Sequence, residues 1–197
     1  MKGILFVLSG PSGTGKGTVC ERLLEKEPLH LSVSATTRDI REGETDGVTY
    51  HYVSVPEFEG MIKNGEMLEY ASYNGNYYGT PKKSVADLLD TGHDVLLEIE
   101  PQGALQVKSI IPEAVLVFLV PPSMQELKNR LITRGRENSD EIKERLAASQ
   151  WELRQADKYN KQIVNDDLDR CVNEVRAYIA EKRGERNMIE ALINEKV

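Results

Sequence analysis

A buried-strand pattern that runs directly into a glycine-rich turn is the feature that most constrains this chain. The apolar run "ILFVL" (4–8) is followed by "SGPSGTGKGT" (9–18) and then by the helical run "TVCERLLEK" (18–26). Glycine in such a turn costs ordering entropy, so we expect the turn to need its backbone close to a ligand. The spacing G-x-x-x-x-G-K at Gly10, Gly15 and Lys16, between a strand and a helix, is typical of a phosphate-binding loop.

This loop predicts a site for the phosphates of a nucleoside triphosphate. Its backbone N–H groups point into a concavity, the helix N-terminus adds partial positive charge, and Lys16 reaches the outer phosphates. A glycine-rich turn with an incidental lysine is the alternative, and the flanking strand and helix argue against it. The predicted triphosphate-binding residues in the loop are Gly10, Pro11, Ser12, Gly13, Thr14, Gly15, Lys16, Gly17 and Thr18.

The position after Lys16 departs from the full pattern. Ser or Thr is expected there, with a hydroxyl that helps to hold Mg²⁺, but the chain has Gly17 followed by Thr18. We still expect Mg²⁺ as the cofactor, held mainly by phosphate oxygens and water because the ion dehydrates reluctantly. Thr18 and Glu98 are the candidate protein contacts to the metal, directly or through water.

The apolar run "DVLLEIE" (94–100) ends in Glu98 and Glu100. Two residues that are two apart on a strand point the same way, so both carboxylates are predicted to face the crevice in which α/β sheets bind ligands. A solvated strand end is the alternative interpretation.

Short apolar runs alternating with helical patterns predict an α/β fold, a parallel sheet with helices on both faces. The strands are expected at 4–8, 94–100 and 114–120, with a further strand end at 162–167. Helix starts are predicted from three capping patterns: Ser54 with Glu57, Thr80 before Pro81, and Ser123 with Glu126.

Two stretches interrupt this alternation. Residues 32–80 are polar, aromatic and rich in turns, which predicts an inserted lobe, and 126–154 predict two helices joined at "RGRENSD". We therefore expect one domain with a core (1–31, 81–125 and 155–197), an inserted lobe (32–80) and a helical lid (126–154).

Composition excludes some classes of function. The formal net charge of −7 argues against a general nucleic-acid binder, which needs clustered cations. The two cysteines, Cys20 and Cys171, form neither a disulfide framework nor a zinc spacing, so a reducing cytoplasm and burial of both are expected. The N-terminal apolar run is too short to span a membrane.

Four segments, in order after the loop, resemble the guanylate kinase family: "VSATTRDIREGETDGVTYHYVS", "GEMLEYASYNGNYYGTP", "DVLLEIEPQGA" and "IVNDDL". The resemblance extends from about Ile4 to Leu168. It implies a P-loop NTPase-type fold and an enzyme of purine nucleotide metabolism that transfers the γ-phosphoryl group of ATP to GMP. In that reaction no general base is needed, since the GMP phosphate is largely a dianion with a second pKa of about 6.

The resemblance also implies a GMP site. Residues that would hold the GMP phosphate are Arg38, Arg41, Tyr50 and Tyr78, and those that would face guanine are Ser34, Glu69, Thr80 and Glu100. A carboxylate at Glu69 can accept from the ring N1–H and the exocyclic amine, whereas adenine offers the opposite pattern. Position 100 departs from the family, in which Asp is more usual.

The lid carries the remaining predicted residues. Arg130 and Arg134 are four apart and share a helix face, while Leu127 and Leu131 are expected to pack inward. The resemblance marks Arg130, Arg134 and Arg145, and Arg136 less clearly, as hydrogen-bond donors to the phosphates. It also places Asn165 near the adenine of ATP, and a turn cap is the alternative interpretation of this residue. The predicted catalytic set is Lys16, Arg41, Arg134 and Arg145. A solvated charged face is the alternative for the arginines.

Two other functions stay open on sequence alone. Guanylate-kinase-like domains also serve as binding modules, but such modules can dispense with the phosphate loop, which is intact here. A related P-loop kinase could act on a different phosphate acceptor, which the predicted guanine-facing residues argue against.

Overall fold

The chain forms nine strands, seven α-helices and one 3-10 helix (Ala156–Lys158) within the residues that the computed structural model describes, 2–73, 75–134 and 139–195. The strands are β1 (Leu5–Ser9), β2 (His30–Leu31), β3 (Ala35–Thr36), β4 (His51–Tyr52), β5 (Met67–Tyr73), β6 (Asn76–Pro81), β7 (Val95–Glu98), β8 (Val115–Val120) and β9 (Lys161–Val164). The helices are α1 (Lys16–Lys26), α2 (Val55–Lys63), α3 (Lys82–Asp90), α4 (Pro101–Ile110), α5 (Met124–Arg134), α6 (Ser139–Leu153) and α7 (Leu168–Ile193).

Five parallel strands form the central sheet, in the order β2-β7-β1-β8-β9. The four predicted strands are all present in it, and β2 is an addition of two residues that is too short to show a periodicity. Strand β1 lies in the middle, between β7 and β8, so the glycine-rich turn that follows it lies where the strand order reverses. In parallel sheets this is the point at which ligands bind.

Alternate residues of β1 pack on opposite faces of the sheet. Phe6 and Leu8 join an apolar cluster with residues of α1 and α7, whereas Leu5 and Val7 join a second cluster with residues of α3 and α4. Each such side chain, when fully buried, contributes about 1.5–3 kcal/mol. The prediction of a parallel sheet with helices on both faces is therefore confirmed.

A second sheet of four strands, in the order β4-β3-β6-β5, lies within the 32–80 stretch and extends to Pro81. Its antiparallel pair β5–β6 has a register shift, because Met67 pairs with Pro81 and Glu69 pairs with Thr80. The extra residue is Leu68, which is buried with the α3 and α4 side of the core. This bulge lets one strand place an apolar side chain in the core and a carboxylate opposite Thr80.

Two of the predicted helix caps are confirmed and one is wrong. Ser54 and Glu57 form a complete capping box at α2, and the Ser123 hydroxyl accepts from the Glu126 N–H at 3.0 Å before α5. Thr80 does not cap α3. Strand β6 continues through Pro81, and the Thr80 hydroxyl donates to a side chain of the partner strand instead.

The two helices predicted between 126 and 154 are α5 and α6, and the residues that join them, 135–138, lie outside the described ranges. Leu127 and Leu131 are fully buried, as predicted from their spacing. Cys20 and Cys171 are buried too, and burial raises the pKa of the Cys20 thiol to about 12. In the described part of the chain, no helix has the length and apolar character needed to cross a membrane.

Candidate active site

The glycine-rich turn forms a closed loop at the carboxyl end of β1. Gly15 has a φ of 88°, in the left-handed region, and a Cβ at this position would lie 2.6 Å from Nδ2 of Asn165. Any other residue there would be strained and would displace Asn165. Gly15, the second glycine of the motif, is thus required by both its backbone conformation and the space around it.

The Lys16 side chain turns back into this loop. Its Nζ donates to the carbonyl oxygen of Gly10 at 2.6 Å and lies 3.1 and 3.2 Å from the two carboxylate oxygens of Glu100. Lys16 is buried, whereas the Glu100 side chain is 54% exposed. A buried ammonium at the head of α1, beside a carboxylate that can turn away, is a site prepared for a competing anion.

Asn165, at the carboxyl end of β9, supports the loop from the other side. Its Nδ2 donates to the Thr14 carbonyl at 2.7 Å, and its own carbonyl accepts from Nη2 of Arg130 at 3.0 Å. Arg130 also pairs with Glu126 of the same helix through Nε at 2.9 Å. Helix α5 is therefore connected to the loop through Asn165.

Helix α6 reaches the loop through Arg145, whose guanidinium donates to the Ser12 hydroxyl. The side chain of Arg134 and the whole of Arg136 lie outside the described residues, so their predicted roles stay predictions.

Glu152 on α6 is half-buried near Glu100. Burial raises the pKa of its carboxyl to about 7, and the Glu100 charge adds to this shift. The charges of Lys16 and Arg145 act in the opposite direction. Sequence reasoning missed Glu152, since an isolated acidic residue on a charged helix gives no signal.

Glu98, at the end of β7, faces the first turn of α1. A Cβ on Gly17 would lie 3.7 and 3.9 Å from its two carboxylate oxygens, an ordinary van der Waals separation. Thr18 follows on the same turn and is exposed. A carboxylate beside a phosphate loop provides the oxygen donors that Mg²⁺ prefers, so these residues fit the predicted ion.

Glu69 and Thr80 form a buried polar pair on the second sheet. They lie opposite each other on β5 and β6, are only 5% and 0% exposed, and the Thr80 hydroxyl donates to Oε1 of Glu69 at 2.7 Å. Burial raises the pKa of the Glu69 carboxyl, and the Thr80 hydrogen bond opposes that shift. A buried carboxylate with a second oxygen to offer is suited to a ligand that presents N–H donors.

A cationic and aromatic cluster lies on the same lobe. The Arg38 guanidinium is 5.6 Å from the centre of the Tyr50 ring, and that ring is 6.0 Å from the ring of Tyr78. Both Nη atoms of Arg38 donate hydrogen bonds to the Glu44 carboxylate, at 2.9 and 2.8 Å. These bonds lower the pKa of Glu44 to about 2. Three of the four residues predicted to hold the acceptor phosphate are thus brought together.

Glu44 is the functional residue of this cluster that sequence reasoning missed. Besides Arg38, it accepts from the backbone N–H of Arg41 at 2.8 Å and from the Tyr52 hydroxyl at 2.8 Å. The only sequence signal was an acidic residue in a loop, three positions after the second of two predicted arginines, Arg38 and Arg41.

Some predicted residues lie apart from their predicted neighbours. Glu100 contacts Lys16, with no described hydrogen bond to the Glu69–Thr80 pair. Arg41 enters the Glu44 network through its backbone and has an exposed side chain, and the Ser34 carbonyl accepts from the His51 N–H at 2.8 Å. The roles of these residues toward a nucleotide stay predictions.

Parallel strands around a phosphate loop at the point of strand reversal place the chain among the P-loop NTPase folds. A second cationic cluster on the four-stranded sheet, with arginines of α5 and α6 that contact the loop and Asn165 beside it, is the arrangement expected of a phosphotransferase with two substrates.

Comparison with known proteins identifies the family within this class. The family model described as guanylate kinase matches residues 2–182, and the chain belongs to that family of enzymes. A curated guanylate kinase of Oceanobacillus iheyensis is 51% identical over 189 residues, which cover 95% of this chain and 92% of that protein. One from Thermus thermophilus is 50% identical over 193 residues, covering 98% and 88%.

A solved structure agrees with these sequences. The crystal structure of guanylate kinase from Anaplasma phagocytophilum has a TM-score of 0.76 and 32% sequence identity to this chain, covering 99% of this chain and 97% of that one.

Proposed function

We propose that the chain transfers the γ-phosphoryl group of ATP to GMP, giving ADP and GDP. The observation that carries this proposal is the buried Glu69–Thr80 pair on a lobe that also holds the Arg38 cluster. Together with the phosphate loop, these groups give one place for a triphosphate and another for a guanine nucleotide. The names of the relatives support the same pair of substrates.

Recognition of guanine rests on donor and acceptor complementarity. The N1–H and the exocyclic amine of guanine are both donors, and the Glu69 carboxylate can accept from them while Thr80 orients it through Oε1. Adenine has an acceptor at N1, so it would leave the buried carboxylate without donors, at a discrimination of about 10⁴-fold or more. Ser34 and Glu100 are the remaining candidates for this site.

The phosphate of GMP is proposed to lie between Arg38, Arg41, Tyr50 and Tyr78. Arg38 is already oriented by Glu44, and guanidinium forks and phenol hydroxyls suit a compact phosphate. Glu44 hydrogen bonds raise the pKa of Arg38, so this charge is present at every working pH.

On the donor side, Lys16 would exchange Glu100 for the outer phosphates of ATP. Arg145 already contacts the loop at Ser12, and Arg130 is fixed beside it through Asn165, so both can approach the transferred group. We propose that Lys16, Arg41, Arg134 and Arg145 stabilise the charge that spreads over this group, which is the main task of a phosphoryl-transfer enzyme. GMP, as a dianion with a second pKa of about 6, needs no general base.

Mg²⁺ fits this arrangement as the cofactor of ATP. Glu98 and Thr18 would hold it, directly or through water, with phosphate oxygens as the other ligands. When bound, the ion supplies neutralisation of charge on the phosphate oxygens.

The division into core, lobe (32–80) and lid (126–154) is part of the proposal, as is a cytoplasmic location. Closure of lobe and lid would exclude water, which competes with GMP as an acceptor. Small-angle scattering should show compaction when GMP and a non-hydrolysable ATP analogue are added together, and an unchanged radius of gyration would contradict closure.

A coupled ADP-release assay with ATP and Mg²⁺ tests the function, with GMP, AMP, UMP, CMP or no acceptor in parallel reactions. Turnover with GMP alone supports the proposal, and turnover with a different acceptor would replace it. No ADP release in any of the reactions would contradict phosphotransfer and favour a binding module.

A further inference from the structure

Helix α4 packs against strand β5 at two adjacent residues. These are Glu69, whose carboxylate is proposed to bind guanine, and Tyr70, which follows it. Gly103 and Gln106, three residues apart and therefore on one helix face, make these contacts. Neither residue belongs to the proposed substrate-binding set.

Because Gly103 has no side chain, the Glu69 carboxylate can lie directly against helix α4 at this position. A Cβ at Gly103 would be 2.4 Å from Oε2 of Glu69 and 3.1 Å from its Cδ. Since side-chain carbons do not approach an oxygen so closely, any larger residue at 103 would force the carboxylate to move. The other oxygen, Oε1, is held by the Thr80 hydroxyl at 2.7 Å, so the carboxylate is confined from two sides.

Gln106 fixes the backbone next to Glu69. Its Nε2 donates to the Tyr70 carbonyl at 2.9 Å, and its Oε1 accepts from the Tyr70 N–H at 3.2 Å. Strand β5 is the edge of its sheet, so among the described residues these backbone groups have no strand partner on that side. The Gln106 amide takes the place of a neighbouring strand at the residue that follows Glu69.

The same helix begins at Pro101, directly after Glu100, and Glu100 contacts Lys16. Helix α4 therefore runs from the phosphate loop to the buried polar pair on the second sheet. An α-helix is stiff over this length, so its start and its Gly103–Gln106 face keep a constant separation.

We propose that Gly103 and Gln106 are positioning residues for the Glu69 carboxylate, and that through them α4 sets where the guanine base lies relative to the phosphate loop. This inference rests on the proposed function, because it deepens the role of Glu69. It predicts a defect confined to recognition of the acceptor base.

The first variant is Gly103→Ala, with Gly60→Ala as its control. Gly60 is also a helical glycine, on α2 within the 32–80 stretch that carries Glu69, and a Cβ there meets no described atom within 4 Å. We expect Gly103→Ala to raise the KM for GMP about tenfold and to reduce the preference for GMP over inosine monophosphate, which lacks the exocyclic amine, while the KM for ATP stays the same. Gly60→Ala should change none of these. Equal losses for GMP and ATP would overturn the proposal.

Two further variants keep the test decisive if Gly103→Ala folds poorly. Gln106→Met removes both hydrogen bonds to Tyr70 without adding bulk to the site, and it should raise the KM for GMP about threefold. Adding Glu69→Asp to Gly103→Ala shortens the carboxylate side chain, so the two changes together should cost less than the sum of their separate effects. Strict additivity would contradict a contact between the two positions.

A measurement without substrate separates this inference from the proposed function. The Glu69 carboxyl carbon, assigned by its loss in Glu69→Gln, can be followed by NMR in ¹³C-glutamate-labelled protein. We expect its titration to move toward the ordinary range in Gly103→Ala, because the displaced carboxylate becomes more exposed. An unchanged titration would overturn the positioning role. Failure of the unaltered chain to phosphorylate GMP would instead contradict the function, while this titration would still decide where the carboxylate lies.

Discussion

The Lys16 ammonium lies 3.1 Å from the Glu100 carboxylate, across the carboxyl ends of two strands that pair in parallel. The lysine predicted to hold the outer phosphates is therefore neutralised by the protein before any nucleotide binds. Glu100 is more than half exposed, so it can turn into solvent at little cost when a phosphate takes its place. The pair orients Lys16 without holding it against ATP.

The first prediction follows from this exchange. Lys16→Met keeps most of the side-chain volume and removes the charge, so turnover should fall by about 100-fold or more with little change in thermal stability. Single-turnover rates and melting curves measure both quantities. Lys83→Met is the matched control, since Lys83 lies on an exposed ion pair with Asp87. Near-normal turnover of Lys16→Met would remove this residue from the mechanism.

A second prediction concerns the metal site at Gly17. This glycine does not have a positive φ, and a Cβ there would have ordinary contacts with the Glu98 carboxylate. Gly17→Ser should therefore fold, restore a hydroxyl beside the ion, and lower the Mg²⁺ concentration that gives half-maximal activity. Gly17→Ala is the control, because it shares the helical gain of about 0.5–1 kcal/mol without a hydroxyl. Equal Mg²⁺ dependence of the two variants would contradict a role for the hydroxyl.

Patterns that are local in the sequence predicted most of the fold. The strand, loop and helix around Lys16 are adjacent in the chain, so their glycine spacing and apolar periodicity identify them directly. The burial of Leu127 and Leu131 followed from helical spacing in the same way. Thr80 shows where local patterns fail, because a hydroxyl before a proline reads as a helix cap unless the partner strand is known.

Contacts between distant segments could not be predicted from the residues alone. The Lys16–Glu100 pair and the Gln106–Tyr70 hydrogen bonds join segments separated by 84 and 36 residues. Glu44 is close to Arg38 in sequence, yet its role depends on a loop conformation that has no regular period. The residues predicted to bind the phosphate acceptor came from the resemblance to a family, and periodicity alone would not have indicated them.

A third prediction is a pH dependence that arises from Glu152. Burial and the nearby Glu100 charge raise its pKa to about 7, with Lys16 and Arg145 acting in the opposite direction. As pH rises through 7, ionised Glu152 adds negative charge beside the proposed triphosphate site, so the KM for ATP should increase about threefold. Glu152→Gln should remove this increase.

The measurement is the KM for ATP between pH 6 and 8.5 at saturating GMP. ATP itself titrates in this range, but it does so equally with every variant, so only the difference between profiles belongs to the residue. Glu144→Gln, a change at an exposed position of the same helix, is the control. Identical profiles for the unaltered chain and Glu152→Gln would contradict the prediction.

The last prediction is that Glu69, the residue proposed to bind guanine, destabilises the fold of the free chain. Burial raises the pKa of Glu69 above its usual value of 4.5, so the folded chain binds this proton more tightly than the unfolded chain does. The ionised carboxylate therefore costs nothing below the unfolded pKa and an increasing amount as pH rises through the folded pKa. Glu69→Gln, which keeps an oxygen for the Thr80 hydroxyl, should melt at a higher temperature than the unaltered chain at pH 8.

This gain should shrink toward pH 4, where both forms of position 69 are neutral, and it should be accompanied by a KM for GMP that is at least about tenfold higher. Melting curves from pH 4 to 8 and acceptor kinetics measure the two effects. Glu21→Gln, at an exposed position of α1, should show neither effect.

A lower melting temperature for Glu69→Gln at every pH would mean that the carboxylate is held by stronger interactions than its Thr80 hydrogen bond. A buried carboxylate at position 69 would then be explained by its packing interactions within the fold. With the predicted signs, it is explained by recognition, since the stability lost in the free chain is recovered when the two guanine donors occupy the site.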